Sequence, residues 1–232
     1  MDALILAAGR GTRLGLDELP KCLIDFGKRS LIEYQIECLK KMNIEKIFVI
    51  TGYNAEKIKD RLEESVSYIH NEEFASTNNI CSILKAENFL TDDFVCIYGD
   101  LFFDEKILKR CIESKYDITL MVEKNLREET TRVKIDNNEI VLVNKDIGFD
   151  KADGNFIGMM KCSKNGKEEF FRNINQLAKD NPQAYYTIAF EHMIKNGKKI
   201  NFDVTDGLLW TDIDTNEDLR LAKEMFSEIS VE

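Results

Sequence analysis

Residues 3–14 read ALILAAGRGTRL, an apolar run that passes directly into a loop with two glycines. The apolar run at residues 3–7 predicts a short buried strand of a parallel sheet. In an open α/β sheet, ligands bind beyond the carboxyl ends of the strands. Small residues and glycines there let backbone N–H groups approach a bound anion closely. Arg10, Arg13 and Lys21 add three cations, so the stretch indicates a site for a phosphate-bearing ligand.

Two better-known phosphate motifs do not fit this loop. The P-loop pattern G-x-x-x-x-G-K-[ST] is absent from the sequence. The dinucleotide fingerprint G-x-G-x-x-G has Leu14 in place of its third glycine, and Thr51-Gly52 stands where an acidic residue should end the second strand. An ordinary glycine turn in a flavodoxin-like domain stays open as the alternative.

The rest of the chain alternates between strand and helix patterns. The first half predicts strands at 46–50, 66–70, 94–98 and 117–122, and helices at 30–41, 54–62, 79–89 and 104–113. The second half predicts a β-hairpin at 131–135 and 139–143, strands at 156–160, 200–204 and 208–213, and helices at 164–179, 184–196 and 215–227. We therefore predict the α/β class, with a Rossmann-like, doubly wound, mostly parallel (mixed) sheet. We expect a single domain over 1–232, with a nucleotide-binding half at about 1–125 and an acceptor-binding half at about 126–232.

Composition limits the classes of partner. The 232 residues are 44% hydrophobic, which is enough for one sizeable core, and the net charge of −10 argues against binding to nucleic acid or to anionic membranes. Six cysteines lie without a C-x-x-C pair, as expected of reduced thiols in a core. No signal peptide and no apolar segment of about 20 residues is visible. We expect a cytoplasmic protein, and a homodimer stays open.

Two aspartates follow apolar runs and are candidates for a metal site. Asp100 follows the strand at 94–98, and Asp214 ends the late run at 208–213. Mg²⁺ takes one or two carboxylates together with phosphate oxygens and waters, so we expect both side chains to hold that ion. A turn role for Asp100 and a helix N-cap role for Asp214 stay open. Asp212 shares a strand face with Asp214 and is either a further ligand or solvent-exposed.

The loop together with Pro20-Lys21 resembles the signature of the nucleoside-triphosphate transferase family, which includes sugar-1-phosphate nucleotidyltransferases and cytidylyltransferases. The resemblance continues through 33–35, 49–53, 99–100 and 213–215. It implies that the loop wraps a triphosphate and that Arg13 and Lys21 contact phosphates. It also implies Asp100 and Asp214 as the Mg²⁺ ligands. The loop residues that this assigns to the nucleotide are Leu6, Ala7, Ala8, Gly9, Arg10, Gly11 and Thr12.

Within that family, three stretches look closest to short cytidylyltransferases that act on phosphocholine or 2-aminoethylphosphonate: residues 74–83, 153–158 and 207–215. The resemblance implies transfer of CMP from CTP to a small phosphorylated or phosphonate acceptor, with release of pyrophosphate. The sequence departs from the family pattern in having Asn155 and Asp212 where Glu is usual, and in a short loop between Leu14 and Pro20. Asn155 in particular leaves the acceptor open.

Base recognition needs donors and acceptors, which Asn78, Asn79 and Ser82 could supply, although an N-cap role fits either asparagine equally well. A cationic acceptor head would suit an aromatic and acidic pocket. The candidates for that pocket are Tyr185, Tyr186, Glu191 and Trp210. A packed helix face with a core tryptophan is the alternative.

Lys124 follows the strand at 117–122 and resembles a family lysine that would meet the acceptor phosphate, although an ordinary exposed lysine fits equally well. An acceptor phosphate oxygen is already a nucleophile, so positioning and charge neutralisation would supply most of the rate. A sugar-1-phosphate nucleotidyltransferase and a non-catalytic nucleotide-binding regulatory domain stay as rival functions.

Overall fold

A computed structural model describes residues 1–11, 19–26, 29–128 and 130–229. Its strands are β1 Asp2–Ala7, β2 Asp25–Phe26, β3 Arg29–Ser30, β4 Lys46–Thr51, β5 Ser67–His70, β6 Phe94–Tyr98, β7 Leu101–Phe103, β8 Ile118–Glu123, β9 Thr131–Asp136, β10 Glu139–Asn144, β11 Gly154–Cys162, β12 Asn201–Val204 and β13 Trp210–Asp212. Its helices are α1 Leu31–Lys41, α2 Ala55–Leu62, α3 Asn79–Leu84, α4 Glu105–Glu113, α5 Lys164–Asp180, α6 Ile188–Lys195 and α7 Asn216–Ile229, and a 3-10 turn spans Lys21–Leu23.

Nine strands form the main sheet, in the order β10-β9-β11-β6-β1-β4-β5, with β8 and β12 continuing from β11. The strands β6, β1, β4 and β5 pair with one another in parallel. The hairpin and β11 bring antiparallel pairing into the second half, although β12 returns parallel to β8. The α/β class and the mixed sheet predicted from the sequence are confirmed.

Helices cover both faces of the sheet because β1 buries alternate side chains on opposite sides. Ile5 packs in one apolar cluster with residues of α1, α2 and α4, and Leu4 packs in a second cluster with residues of α3, α5 and α6. The doubly wound arrangement is therefore confirmed. No described helix is both long and apolar enough to cross a bilayer.

The predicted elements agree with the structure except at some boundaries and in short strands. The helix predicted at 79–89 ends at Leu84 and continues as turns, and the helix predicted at 184–196 begins only at Ile188. Ser30 caps α1, and Glu33 accepts from the Ser30 backbone N–H at 2.6 Å in a capping box. The short strand β7 was not predicted, yet it positions the candidate site described below.

Candidate active site

The ends of two neighbouring strands form the floor of the site. Leu6 of β1 lies opposite Tyr98 of β6 in a parallel ladder. The backbone N–H of Gly99 donates to the Leu6 carbonyl at 2.9 Å, so Asp100 emerges beside the glycine loop. This is the edge where a parallel sheet receives its ligands.

A separate small ladder brings the second aspartate to the same place. The strands β7 and β13 pair antiparallel, with Leu101 opposite Asp212. The N–H of Ile213 donates to the Asp100 carbonyl at 2.9 Å, which holds Asp214 beside Asp100. The N-cap role open for Asp214 falls to Thr215, whose Oγ1 accepts from the Asp218 N–H at 3.2 Å. The two expected metal ligands thus converge, although 114 positions separate them in the chain.

Lys21 places its ammonium between these carboxylates. Its Nζ contacts Asp214 Oδ1 and lies 3.6 Å from Asp100 Oδ2, and its side chain is only 13% exposed. Gly11 lies over the aliphatic part of Lys21 with a φ of +64°, and a Cβ at that position would overlap Lys21 Cγ. Gly11 is therefore required both by its backbone conformation and by this close approach.

The carboxylates form an electronegative group that one cation does not fully neutralise. Burial raises the pKa of Asp100, the Lys21 ammonium opposes that rise, and the charges of Asp214 and Asp212 add to it. Burial also raises the pKa of Asp212, with a further contribution from Asp214. Among the described residues, no three His, Cys, Asp or Glu side chains form a closed metal site. Mg²⁺ needs only one or two carboxylates beside substrate phosphates, so the donor set of Asp100 and Asp214 fits that ion.

A cavity of about 420 Å³ opens above this group. Leu6, Ala8, Gly9 and Gly11 line it together with Lys21, Asp100, Asp212 and Asp214. Ala7 lines an adjoining recess of about 150 Å³. Arg10 is exposed, with its guanidinium 5.4 Å from the centre of the Tyr53 ring. The predicted phosphate contacts Thr12 and Arg13 lie outside the described residues.

The three candidates for base recognition line the same cavity, but each also has an internal partner. Asn78 caps α3 by accepting from the Asn79 N–H at 2.7 Å. Asn79 Oδ1 accepts from the Tyr186 N–H at 2.8 Å, and its amide donates to the Tyr98 hydroxyl at 3.3 Å. Ser82 Oγ accepts from the Asn71 side chain at 3.1 Å. The helix-capping alternative therefore holds for Asn78, which still faces the cavity.

The acceptor candidates divide into two groups. Tyr185 and Trp210 line the cavity. Tyr186 does not, because its ring is fully buried and packs edge-on against Tyr98, Phe156 and Phe190. This placement corrects the expectation that Tyr186 contacts the acceptor.

Glu191 and Lys124 also lie away from the cavity lining. Glu191 pairs with Lys195 at 3.0 Å, accepts from the Asn144 amide at 3.2 Å, and lines a separate surface groove. Glu191 therefore lies next to the end of β10 and outside the cavity. This placement corrects the expectation that Glu191 contacts the acceptor. Lys124 is exposed just after β8 and does not line the cavity, so the structure does not support its expected contact with the acceptor phosphate.

The N-terminal part of the chain identifies the family to which it belongs. Residues 3–146 match the model of the MobA-like NTP transferase domain. The chain belongs to this NTP transferase family. The match covers β1, the glycine loop, Lys21 and Asp100, whereas Asp214 reaches the site of this NTP transferase from outside the matched region.

Known proteins resemble this transferase over all or half of its length. It is 25% identical over 256 residues to the CTP:phosphoglutamine cytidylyltransferase of Campylobacter jejuni, covering 97% of this chain and 100% of that protein. It is 36% identical over 120 residues to the choline-phosphate cytidylyltransferase of Streptococcus pneumoniae, covering 50% and 52%. The solved inositol-1-phosphate CTP transferase of T. maritima superposes with a TM-score of 0.82 at 23% identity, covering 99% and 96%, which supports the fold.

Two cations of the NTP transferase's second half were not singled out from the sequence. Lys145 lines the cavity, and its Nζ lies 4.0 Å from the centre of the Tyr185 ring. The guanidinium of Arg127 lies 4.0 Å from the centre of the Trp210 ring. Neither residue belongs to a local motif, and each is brought to its aromatic partner only by the folded chain.

Proposed function

We propose that this chain is a cytidylyltransferase that transfers CMP from CTP to a small phosphorylated or phosphonate acceptor and releases pyrophosphate. The observation that carries the proposal is the Lys21 ammonium between Asp100 and Asp214, on the floor of a cavity bordered by the glycine loop. A loop that presents backbone N–H groups suits a triphosphate. The paired carboxylates suit a divalent cation, for which we propose Mg²⁺.

The reaction needs positioning and charge neutralisation more than proton transfer. An anionic oxygen of the acceptor attacks the α-phosphorus of CTP, and the bond from that phosphorus to the oxygen bridging to the β-phosphorus breaks. Pyrophosphate leaves with the bonding electron pair, so no general base is required. When bound, the metal ion would neutralise phosphate charge. Lys21 would then move from the carboxylates to the phosphates, where it stabilises the charge that develops on the leaving group.

The preference for CTP draws on the relatives. The Campylobacter jejuni protein, which the chain matches along its full length, is a CTP-dependent cytidylyltransferase by name. Asn78 and Ser82 line the cavity beside the loop and offer polar atoms to a base edge. Because Ser82 is buried and already fixed by Asn71, its hydroxyl is a well-oriented candidate for reading the base.

The test is pyrophosphate release with each of CTP, UTP, GTP, ATP and dTTP, in Mg²⁺ or in excess EDTA. The acceptor panel contains phosphocholine, 2-aminoethylphosphonate, phosphoglutamine, inositol 1-phosphate and glucose 1-phosphate. We expect turnover with CTP, its loss in EDTA, and its loss in Asp100→Asn and Asp214→Asn. Preferential turnover of glucose 1-phosphate with UTP or dTTP would favour the sugar-nucleotide alternative. Binding of nucleotide without turnover of any acceptor would favour a regulatory domain.

A further inference from the structure

Two of the aromatic rings that line the cavity, those of Tyr185 and Trp210, already carry a cation of this chain. Lys145 lies 4.0 Å above the ring of Tyr185, and Arg127 lies 4.0 Å above the ring of Trp210. A ring face attracts one cation, and a second positive charge placed beside the first is repelled. One face of each ring is therefore covered by a cation, which would repel a quaternary ammonium brought to that ring.

The carboxylates at the cavity and beside its rings already interact with groups of this chain. Glu123 Oε2 accepts from Trp210 Nε1 at 3.0 Å and from Thr205 Oγ1 at 2.7 Å, and Glu123 Oε1 accepts from the Asn125 N–H at 2.7 Å. Glu191 lies outside the cavity. Among the described residues, the carboxylates that line the cavity are Asp100, Asp212 and Asp214. Asp100 and Asp214 pair with Lys21, and the charge of Asp212 interacts with that of Arg127.

Lys145 is held in place by its surroundings. The Arg132 guanidinium donates to the carbonyls of Lys145 and Ile147, at 3.1 and 2.8 Å. Asn144 Oδ1 accepts from the Asp146 N–H at 2.8 Å, and Glu191 accepts from the Asn144 amide. These bonds fix the turn after β10, so Lys145 presents its ammonium to the cavity from a defined backbone.

Arg127 is positioned by a residue that departs from the family pattern. Asn155 is fully buried, and its Oδ1 accepts from the Arg127 N–H at 3.3 Å and from Thr130 Oγ1 at 2.8 Å. Its amide donates to the carbonyls of Asn125 and Glu123 at 2.8 and 3.4 Å. A glutamate cannot donate to those carbonyls. Asn155 thus holds the segment that places Arg127 over Trp210.

We propose that the acceptor carries a second anionic group, a carboxylate, which pairs with Lys145 at the Tyr185 end of the cavity. The acceptor would then be a phosphorylated acid instead of a phosphorylated quaternary amine. This inference rests on the proposed nucleotidyl transfer and names the acceptor class for the same site. A pairing of carboxylate with ammonium is favoured in a partly enclosed cavity, and the cations that cover the two rings exclude a cationic competitor.

Equilibrium binding tests the inference without requiring turnover. Isothermal titration would use the 232-residue protein with Mg²⁺ and a non-hydrolysable CTP analogue already bound. The three small probes are phosphoglycolate, glycerol 3-phosphate and phosphocholine. We expect phosphoglycolate to bind about 10-fold or more tightly than phosphocholine, with glycerol 3-phosphate between them, on the scale of one charged hydrogen bond. Equal or tighter binding of phosphocholine overturns the inference.

Charge reversal assigns the effect to one side chain. Lys145→Glu should weaken phosphoglycolate about 10-fold or more and leave phosphocholine unchanged or tighter. Lys115→Glu is the matched control, because Lys115 is exposed outside the cavity lining and the change in net charge is the same. An equal loss for all three probes in Lys145→Glu would mean that Lys145 contacts the shared phosphate, and would overturn the inference.

Turnover separates this inference from the proposed function. If CTP supports pyrophosphate release with phosphocholine at least as well as with carboxylated acceptors, the transferase activity stands and the acceptor class is wrong. If no acceptor supports release but the binding preference for phosphoglycolate holds and depends on Lys145, the proposed function fails and the anion site stands. Different results would therefore overturn the proposed transferase activity and the proposed acceptor class.

Discussion

Lys21 occupies a position that a metal ion and a phosphate would share. Its ammonium contacts Asp214 and approaches Asp100 at 3.6 Å, so it compensates two carboxylates when no other cation is bound. In the proposed mechanism, the same side chain turns to the leaving phosphates when a divalent ion takes its place. This dual use would let an acidic chain hold a polyanion, because the positive charge is local and is held at the site by the carboxylates.

Replacement of Lys21 by alanine should lower kcat by roughly 100-fold or more, about 3 kcal/mol, because a charge-stabilising contact in the transition state is lost. Initial rates of pyrophosphate release at saturating CTP and acceptor measure this. Lys124→Ala is the matched control, since Lys124 is exposed outside the cavity lining, and its rate should stay within about threefold of the parent. A change below threefold in Lys21→Ala would remove Lys21 from the chemistry, and a large loss in Lys124→Ala would restore the role predicted for Lys124.

At the level of single residues, the sequence predicted those site residues that belong to local sequence motifs. The glycine loop, Lys21 and the two aspartates follow recognisable stretches, and the structure brings those described together. Tyr186 and Glu191 were placed in a pocket from composition alone, and the structure buries one and turns the other outward. Glu191 belongs to the eight-residue helix α6, and packing against α5 and β10 decides which face of that helix meets the cavity. Tyr186 precedes this helix, and its ring packs into the core.

At the level of elements, pairing between distant strands determines the site. The ladder of β7 with β13 involves three residues on each side, too few for a periodic pattern to reveal, yet it joins Asp100 to Asp214. The central strands were predicted well because they are apolar runs bounded by glycine or aspartate. The helix predicted at 79–89 was too long because its apolar residues continue to pack after the backbone has changed to turns.

Asn155 connects β11 to the segment after β8, so its substitution tests that connection. Asn155→Asp should reduce the free energy of unfolding by about 2–3 kcal/mol at pH 8, because two carbonyls lose their donor and a charge is buried. The loss should shrink at pH 5, since burial raises the pKa of the new carboxyl and its protonated form can again donate. Urea unfolding at both pH values measures this. Asn125→Asp, in the same segment but exposed, should stay within about 0.5 kcal/mol.

Glu123 links β8 to Thr205 and to Trp210 of β13, and it should make stability depend on pH. Burial alone would raise its pKa, but hydrogen bonds from Asn125, Thr205 and Trp210 lower it below its ordinary value. A lowered pKa means that the unfolded state binds more protons, so this contribution is present above the ordinary pKa and is lost as pH falls through the folded pKa.

Glu123→Gln should therefore destabilise the protein by about 1–3 kcal/mol at pH 7, the scale of a lost charge-assisted hydrogen bond, and by much less near pH 3. Urea unfolding of parent and variant across this range gives the difference directly. Glu64→Gln, at an exposed position, serves as the control. A difference that is constant with pH would show that packing, and not the carboxylate charge, is responsible.

At the level of the whole molecule, the cysteines report whether the two halves unfold together. Cys38 lies in the apolar cluster on one face of the sheet, and Cys162 of β11 lies in the cluster on the other face. They also belong to the two halves that were predicted as nucleotide-binding and acceptor-binding. Because β11 pairs with the central strand β6, we expect these halves to form one cooperative unit.

Thiol labelling at pH 8 tests this cooperativity. Burial raises the pKa of Cys38 to about 11 and that of Cys22 to about 12, and Cys96, Cys111 and Cys162 are also buried with raised pKa values. Cys81 is only half-buried, so the native protein should show one fast thiol, which Cys81→Ser should remove. Pulsed labelling with mass spectrometry at rising urea should then give the same midpoint for Cys38 and Cys162, because thiolates form only when the core opens. A lower midpoint for Cys162 would mean that the second half opens alone, and the single cooperative domain would have to be divided.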